Sequence, residues 1–394
     1  MESIKRTENS LERVLPIPDV HAQEHSACVT AYVREHIRKS GGVLPFDLYM
    51  DIVLYAQGLG YYVTGAQKFG QSGDFVTAPE LGSLFSKCLA RQAAEVLQRL
   101  GQGGILEVGP GTGALAGALL DELALLNALP DQYALLETSP DLKRRQQERL
   151  TSQLGEGIER CCWLDDLPRD WTGLVLVNEV LDALPVTCFQ VYSGHPMLAG
   201  IQNSDSGFSL SWFESEEIAA EIEIIEKYQL PDGYTSERCS RADAWVSEVG
   251  TRLRCGLLLV IDYGYTAQEY YHPERSTGTL MCHYRNRAHS DLFWYPGLQD
   301  ITAHVNFSSL AAAGREVGLE LAGFSSQEAF LLSLGLTELA ETTHDVRSQA
   351  EVSREIQQLA TPSGMGERFK VLALSKGLEG ALLGFELRDR SGDL

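Results

Sequence analysis

The sequence predicts a doubly wound α/β fold, preceded by a helical region and interrupted by a hairpin-plus-helix insert. Three observations lead there. Residues 104–120, "GILEVGPGTGALAGALL", read as strand, glycine turn and helix. Short apolar runs then alternate with helical segments as far as residue 262, and between 187 and 250 that alternation breaks. Near-continuous apolar runs separated by helices indicate parallel strands covered on both faces.

The elements follow in order. From Ser26, a suitable N-cap, Val29, Val33 and Ile37 recur at every fourth position until Ser40-Gly41-Gly42, which predicts a helix. A second helix begins near Pro45-Phe46 and runs through Tyr49, Ile52 and Val53 to Gly58. The segment "GLGYYVTGAQKFGQSGDFVTAPELG" is a long loop punctuated by glycine, and long loops in compact proteins are commonly functional. A third helix is expected from about Gly82 to Leu100, ahead of the glycine motif. Strands are expected at 105–108, 133–137, 160–163, 174–178 and 257–262, with one more at 368–376, "RFKVLALSK". Within 187–250, "FQVYSG" and "FSLSWF" read as a hairpin and "ESEEIAAEIEIIEKY" as the helix that follows it.

A chain of 394 residues supports a large core as one elaborated domain or two. Basic residues number 32 and acidic ones 54, so the net charge of −22 disfavours nucleic acid and favours a cationic partner. "MESIKRTENSLERVLPIPDV" lacks the apolar stretch of a secretory signal, and Glu2, Glu8 and Glu12 argue against a transit peptide. No apolar run is long enough to span a bilayer, which leads to the expectation of a soluble, cytoplasmic protein. The eight cysteines show no C-x-x-C spacing, so no metal site is expected and a reducing compartment is. Cys161-Cys162 reads as buried thiol at a strand end.

The glycine turn raises the question of its ligand. Gly109, Gly111 and Gly113 follow the first strand, where backbone comes close to a ligand and a helix N-terminus offers free N–H groups. The spacing Gly109-x-Gly111-x-x-Ala114 also satisfies a dinucleotide fingerprint, so NAD and S-adenosylmethionine are both open on this motif alone. Glu107, inside the first strand, suits the charged methionine end of a sulfonium cofactor. Glu137, closing the second strand, suits the ribose hydroxyls of either ligand. In "WLDDLP", Asp165 or Asp166 is a candidate acceptor for the adenine amino group, with Trp163 against the ring. "VNEVLDALPV" places Asn178, Glu179 and Asp182 at the carboxyl end of the fourth strand. Charge in such an apolar setting is costly unless bonded or used.

"LEVGPGTG", "NEVLDALPV", "GYY...GDFVTAPE", "DYG" at 262–264, "PGLQDITAHVNF" at 296–307 and "MGERFKVL" at 365–372 together resemble the MidA family of S-adenosylmethionine-dependent methyltransferases, over about residues 40 to 375. The resemblance implies a Rossmann-like class I methyltransferase sheet and S-adenosylmethionine as cofactor. The family's mitochondrial member dimethylates arginine on a core subunit of respiratory complex I and is needed for its assembly, which implies a protein substrate here. Three positions depart from the family's common residues: Thr112 stands for arginine, Ala78 for serine and Asn306 for aspartate.

The organisation expected is a flexible segment at 1–24, a helical region with a cofactor-covering loop at 25–100, a cofactor-binding catalytic core at 101–186 and 255–394, and a substrate- or partner-binding insert at 187–254. Paired carboxylates can hold an arginine guanidinium and localise its charge, and Glu179 and Asp182 are the candidates. Asn178 is expected to support the cofactor. Asp300 and His304, four apart, are expected to share a helix face or crown a loop over the site, with His304 as a proton acceptor near neutral pH. His283, Arg285 and Arg287 are lesser candidates, and Asp74, Thr77 and Glu80 are expected to cover the cofactor. The expected partner is a cationic protein segment, and a homodimer is compatible with the sequence. An NAD-linked oxidoreductase and a non-catalytic assembly factor are the alternatives.

Overall fold

The computed structural model of the protein describes residues 15–64, 77–205, 207–341 and 346–394. Asp74 and most of the loop around it lie outside the described residues, as does most of the N-terminal segment. A central sheet contains strands β1 (Gly104–Val108), β2 (Tyr133–Leu136), β3 (Cys161–Leu164), β4 (Trp171–Asn178), β5 (Leu253–Tyr265), β6 (Glu320–Ser326) and β7 (Phe369–Lys376). Their spatial order is β3-β2-β1-β4-β5-β7-β6. From β3 to β5 neighbours run parallel, and β7 is antiparallel to both β5 and β6.

The two-residue periodicity of the strands explains their continuous apolarity. Leu257, Leu259 and Ile261 on β5, with Leu174 and Leu176 on β4, pack against the helices Leu84–Leu100 and Ala114–Leu125. The intervening Leu258, Val260, Val175 and Val177 pack on the other face, against Ser240–Arg252 and Phe307–Glu316. Strand order reverses between β1 and β4, so the glycine turn after β1 opens into the crevice where open α/β sheets bind ligands.

The insert differs from a simple hairpin. Thr187–Tyr192 and Gly207–Phe213 do not pair; each pairs antiparallel with an intervening strand, His195–Ser204. Pro196 and Gly200 inside that strand weaken its sequence signal. Leu44–Pro45 adds to the same sheet, and the helices Val20–Lys39 and Phe46–Tyr55 share an apolar cluster with it. The first helix is capped by Asp19, whose side chain accepts the Ala22 N–H at 2.9 Å, so it begins before Ser26. Asp300 lies in a short strand, Asp300–Thr302, paired with Met281–Tyr284. The i,i+4 spacing to His304 therefore does not mark a helix face. All eight cysteines are free thiols, and burial pushes Cys161 up to about 11.

Candidate active site

The glycine turn needs its glycines. Gly109, Gly111 and Gly113 have φ of +63°, +53° and +78°, in the left-handed region that side chains resist. A Cβ on Gly109 would also lie 2.8 Å from the Val180 side chain. The helix that follows, Ala114–Leu125, has no side-chain cap, which leaves its first-turn N–H groups to a ligand.

These groups border a cavity of about 310 Å³, within the range of small-ligand pockets. Glu107, Glu137, Asn178, Glu179 and Glu80 line it, together with Tyr55 and Tyr62 from the N-terminal region. Glu107 is buried and accepts the Tyr133 hydroxyl at 2.6 Å. Burial pushes it up to about 7, against the opposing effect of that bond. Glu137 accepts the Ser139 N–H at 2.8 Å and the Gln146 amide at 3.1 Å.

Glu179 follows β4 with φ +55°, a conformation uncommon for a non-glycine residue and a frequent mark of functional strain. Its Oε1 accepts the Asn178 amide at 3.2 Å and the Ala78 N–H at 3.3 Å. Burial, and then the neighbouring Asp182, push its carboxyl up to about 8. Among the described residues, Oδ1 of Asn178 has no hydrogen-bond partner. The short helix Ala78–Leu81 reaches the glycine turn through Glu80, whose carboxylate accepts the Thr112 hydroxyl and, at 3.3 Å, Arg149.

Other candidates sit elsewhere. Asp182 is buried beside the cavity and does not line it, because its carboxylate is bonded to the Tyr263 hydroxyl; burial pushes it up to about 6. Asp165 pairs with Lys143 and its side chain is 93% exposed, while Asp166 lies 3.6 Å from Arg252. Neither lines the cavity, since the chain after β3 turns both carboxylates toward basic side chains at the surface. Trp163 donates to Gln146 at 3.0 Å and also lies outside the lining. His304 borders a second cavity and stacks on Tyr265, with rings 5.0 Å apart. Burial and then Arg275 push it down to about 4, so it is not a base of near-neutral pKa. Asp300 accepts the Tyr62 hydroxyl at 2.9 Å and stays out of the cavity, as do His283, Arg285 and Arg287.

Sequence reasoning missed three contributors. Tyr55 and Tyr62 stack 5.4 Å apart and form one wall. Tyr62 stands in the quoted "GYY", while nothing local marks Tyr55. Asp262, the last acid of the apolar run "LLLVID", accepts the N–H groups of Val180, Leu181 and Asp182 at 3.2, 3.0 and 3.3 Å. It thereby sets the loop that carries Glu179.

Comparison with known proteins bears on what this cavity holds. Residues 88–325 match the model of a family described as "Putative S-adenosyl-L-methionine-dependent methyltransferase". A crystal structure of a superfamily relative from Burkholderia thailandensis bound to S-adenosyl-homocysteine is 42% identical. It covers 96% of this chain and all of its own, with a TM-score of 0.94. The Protein arginine methyltransferase NDUFAF7 homolog, mitochondrial, of Caenorhabditis elegans is 27% identical over 97% of this chain and 93% of its own. The Homo sapiens Protein arginine methyltransferase NDUFAF7, mitochondrial, is 27% identical over 85% and 81%. The residues fit the cofactor: a turn of three left-handed glycines, an uncapped helix N-terminus and a buried Glu137 border one cavity. The dinucleotide alternative is not favoured. With 42% identity across nearly its whole length and the family match covering more than half of the chain, the chain belongs to this family of S-adenosylmethionine-dependent methyltransferases.

Proposed function

We propose that the protein methylates arginine on a partner protein, with Glu179 holding the guanidinium. The observation that carries this reading is the placement of Glu179: a buried carboxyl, held at positive φ at the end of β4, in the same cavity as the glycine turn. Bound there, S-adenosylmethionine supplies a methyl carbon activated by its sulfonium. Glu107, Glu137, the glycine turn and Asn178 would hold it. Glu179 pairs with the guanidinium as a carboxylate, because a cation beside the buried carboxyl lowers its raised pKa and displaces its proton to solvent. It draws the positive charge toward itself and leaves one nitrogen free to bond the methyl carbon, whose bond to sulfur would break in the same step. It then takes the proton which that nitrogen releases. Tyr55 and Tyr62 present aromatic surface on which a guanidinium stacks favourably. The arginine assignment is supported by the names of the 27% identical relatives, and the cationic substrate by the net charge of −22.

The reading extends to a role in respiratory complex assembly, as the family resemblance implies. Mass spectrometry of arginine methylation in cells with and without the gene tests it, followed by transfer to the identified site by the purified protein. A methylarginine that disappears with the gene is the expected result. Unchanged arginine methylation, or methylation only of small molecules or nucleic acid, overturns it.

A further inference from the structure

Gln146 lies on the helix Pro140–Leu154 and is fully buried, yet it does not border the cavity. Its Nε2 donates to the Gly111 carbonyl at 2.9 Å and to Oε2 of Glu137 at 3.1 Å. Its Oε1 accepts the Trp163 indole N–H at 3.0 Å. An amide viewed alone has two orientations, and the indole removes one of them: a donor facing Oε1 leaves only the NH2 group to face Glu137 and Gly111. One side chain thus joins the turn after β1, the acid after β2 and the aromatic residue on β3. Its Cγ also lies 3.4 Å from where a Cβ on Gly113 would stand.

We propose that Gln146, oriented by Trp163, is a positioning residue for the cofactor. It turns the Glu137 carboxylate toward the ribose hydroxyls and holds the Gly111 backbone open to the ligand before binding. The inference rests on the reading of Glu137 as the ribose acceptor. Ser139 occupies Oε1 of that carboxylate and Gln146 approaches Oε2, so rotation of the carboxylate breaks two buried bonds.

Calorimetry with S-adenosylhomocysteine tests this without any methyl acceptor. Gln146→Met removes the amide at similar length and should weaken binding about tenfold, the scale of a lost bond to a buried charge. Trp163→Phe frees the amide to turn over and should produce a smaller loss of the same sign. In a Glu137→Ala background, Gln146→Met should cost less than it does in wild type, because the part of its effect that passes through Glu137 is already lost and only the bond to Gly111 remains. A merely structural role would lower the melting temperature of the free protein and leave this coupling absent. Binding by Gln146→Met within about twofold of wild type, or full additivity with Glu137→Ala, overturns the proposal. If Gln146→Met does not fold, Trp163→Phe in the two backgrounds gives the same comparison. Unaltered binding by Glu137→Ala alone would instead overturn the ribose reading itself.

Discussion

Oδ2 of Asp262 accepts the backbone N–H of Leu181 at 3.0 Å, across 81 residues of sequence. Val180 and Asp182 donate to the same oxygen, and Tyr263 N donates to Oδ1 at 2.9 Å. The end of β5 therefore holds the start of the short 3-10 turn Leu181–Ala183, and with it Glu179 two residues upstream.

Replacing Asp262 by alanine should leave several buried N–H groups without an acceptor and destabilise the fold by about 3 kcal/mol. Methyl transfer should fall more than affinity for S-adenosylhomocysteine, because the loop bears on Glu179 more than on the glycine turn. A wild-type melting temperature for this variant would show that the loop holds its shape without the carboxylate.

Glu179→Gln keeps the shape and the cofactor affinity but removes the charge that faces the guanidinium. Transfer at saturating substrate should drop by about two orders of magnitude, the scale for losing one preorganised charge partner. Single-turnover kinetics on an arginine-containing target checks this, and full activity would remove Glu179 from the reaction.

The carboxyl of Glu179 sits at about 8 in the folded protein against an ordinary value of 4.5. Below both values each state holds the proton and the group contributes nothing to the pH dependence. Between them the unfolded chain has released it while the folded chain retains it, so stability falls as pH rises from about 4.5 to 8. Glu107 and Glu237, each raised to about 7 by burial, add to the slope. Melting temperature against pH should therefore decline less steeply in Glu179→Gln than in wild type, and parallel curves would contradict the burial of this group.

Gly111→Val should abolish the rise in melting temperature produced by S-adenosylmethionine, because a β-branched side chain resists φ of +53° and blocks backbone approach. Glu137→Ala should weaken cofactor binding by about 2–3 kcal/mol with the fold intact. Calorimetry measures both, and an unchanged dissociation constant in either variant would place the cofactor elsewhere.

The features readable in advance were those joined by a short stretch of chain. Apolar runs declared buried strands, and a strand end fixes where the next residues go. Gly109, Glu137 and Glu179 thus fall at the carboxyl ends of β1, β2 and β4, on one side of the sheet. The strand His195–Ser204 was hidden by Pro196 and Gly200, and β6, "ELAGFSS", is too rich in small and polar residues to declare itself.

The sequence by itself determined the parallel sheet, the glycine turn and the acids beside it, because each depends on neighbours a few residues away. Only the tertiary structure decided which of those acids face the cavity. Asp165 is drawn off by Lys143, Asp182 by Tyr263 and Asp300 by Tyr62, while Glu179 lines the cavity together with Tyr55 and Tyr62. The partners of Asp182 and Asp300, and the tyrosine wall, lie tens to hundreds of residues from the groups they govern. A buried carboxyl takes whichever donor the packing brings within reach, and local pattern carries no record of that donor.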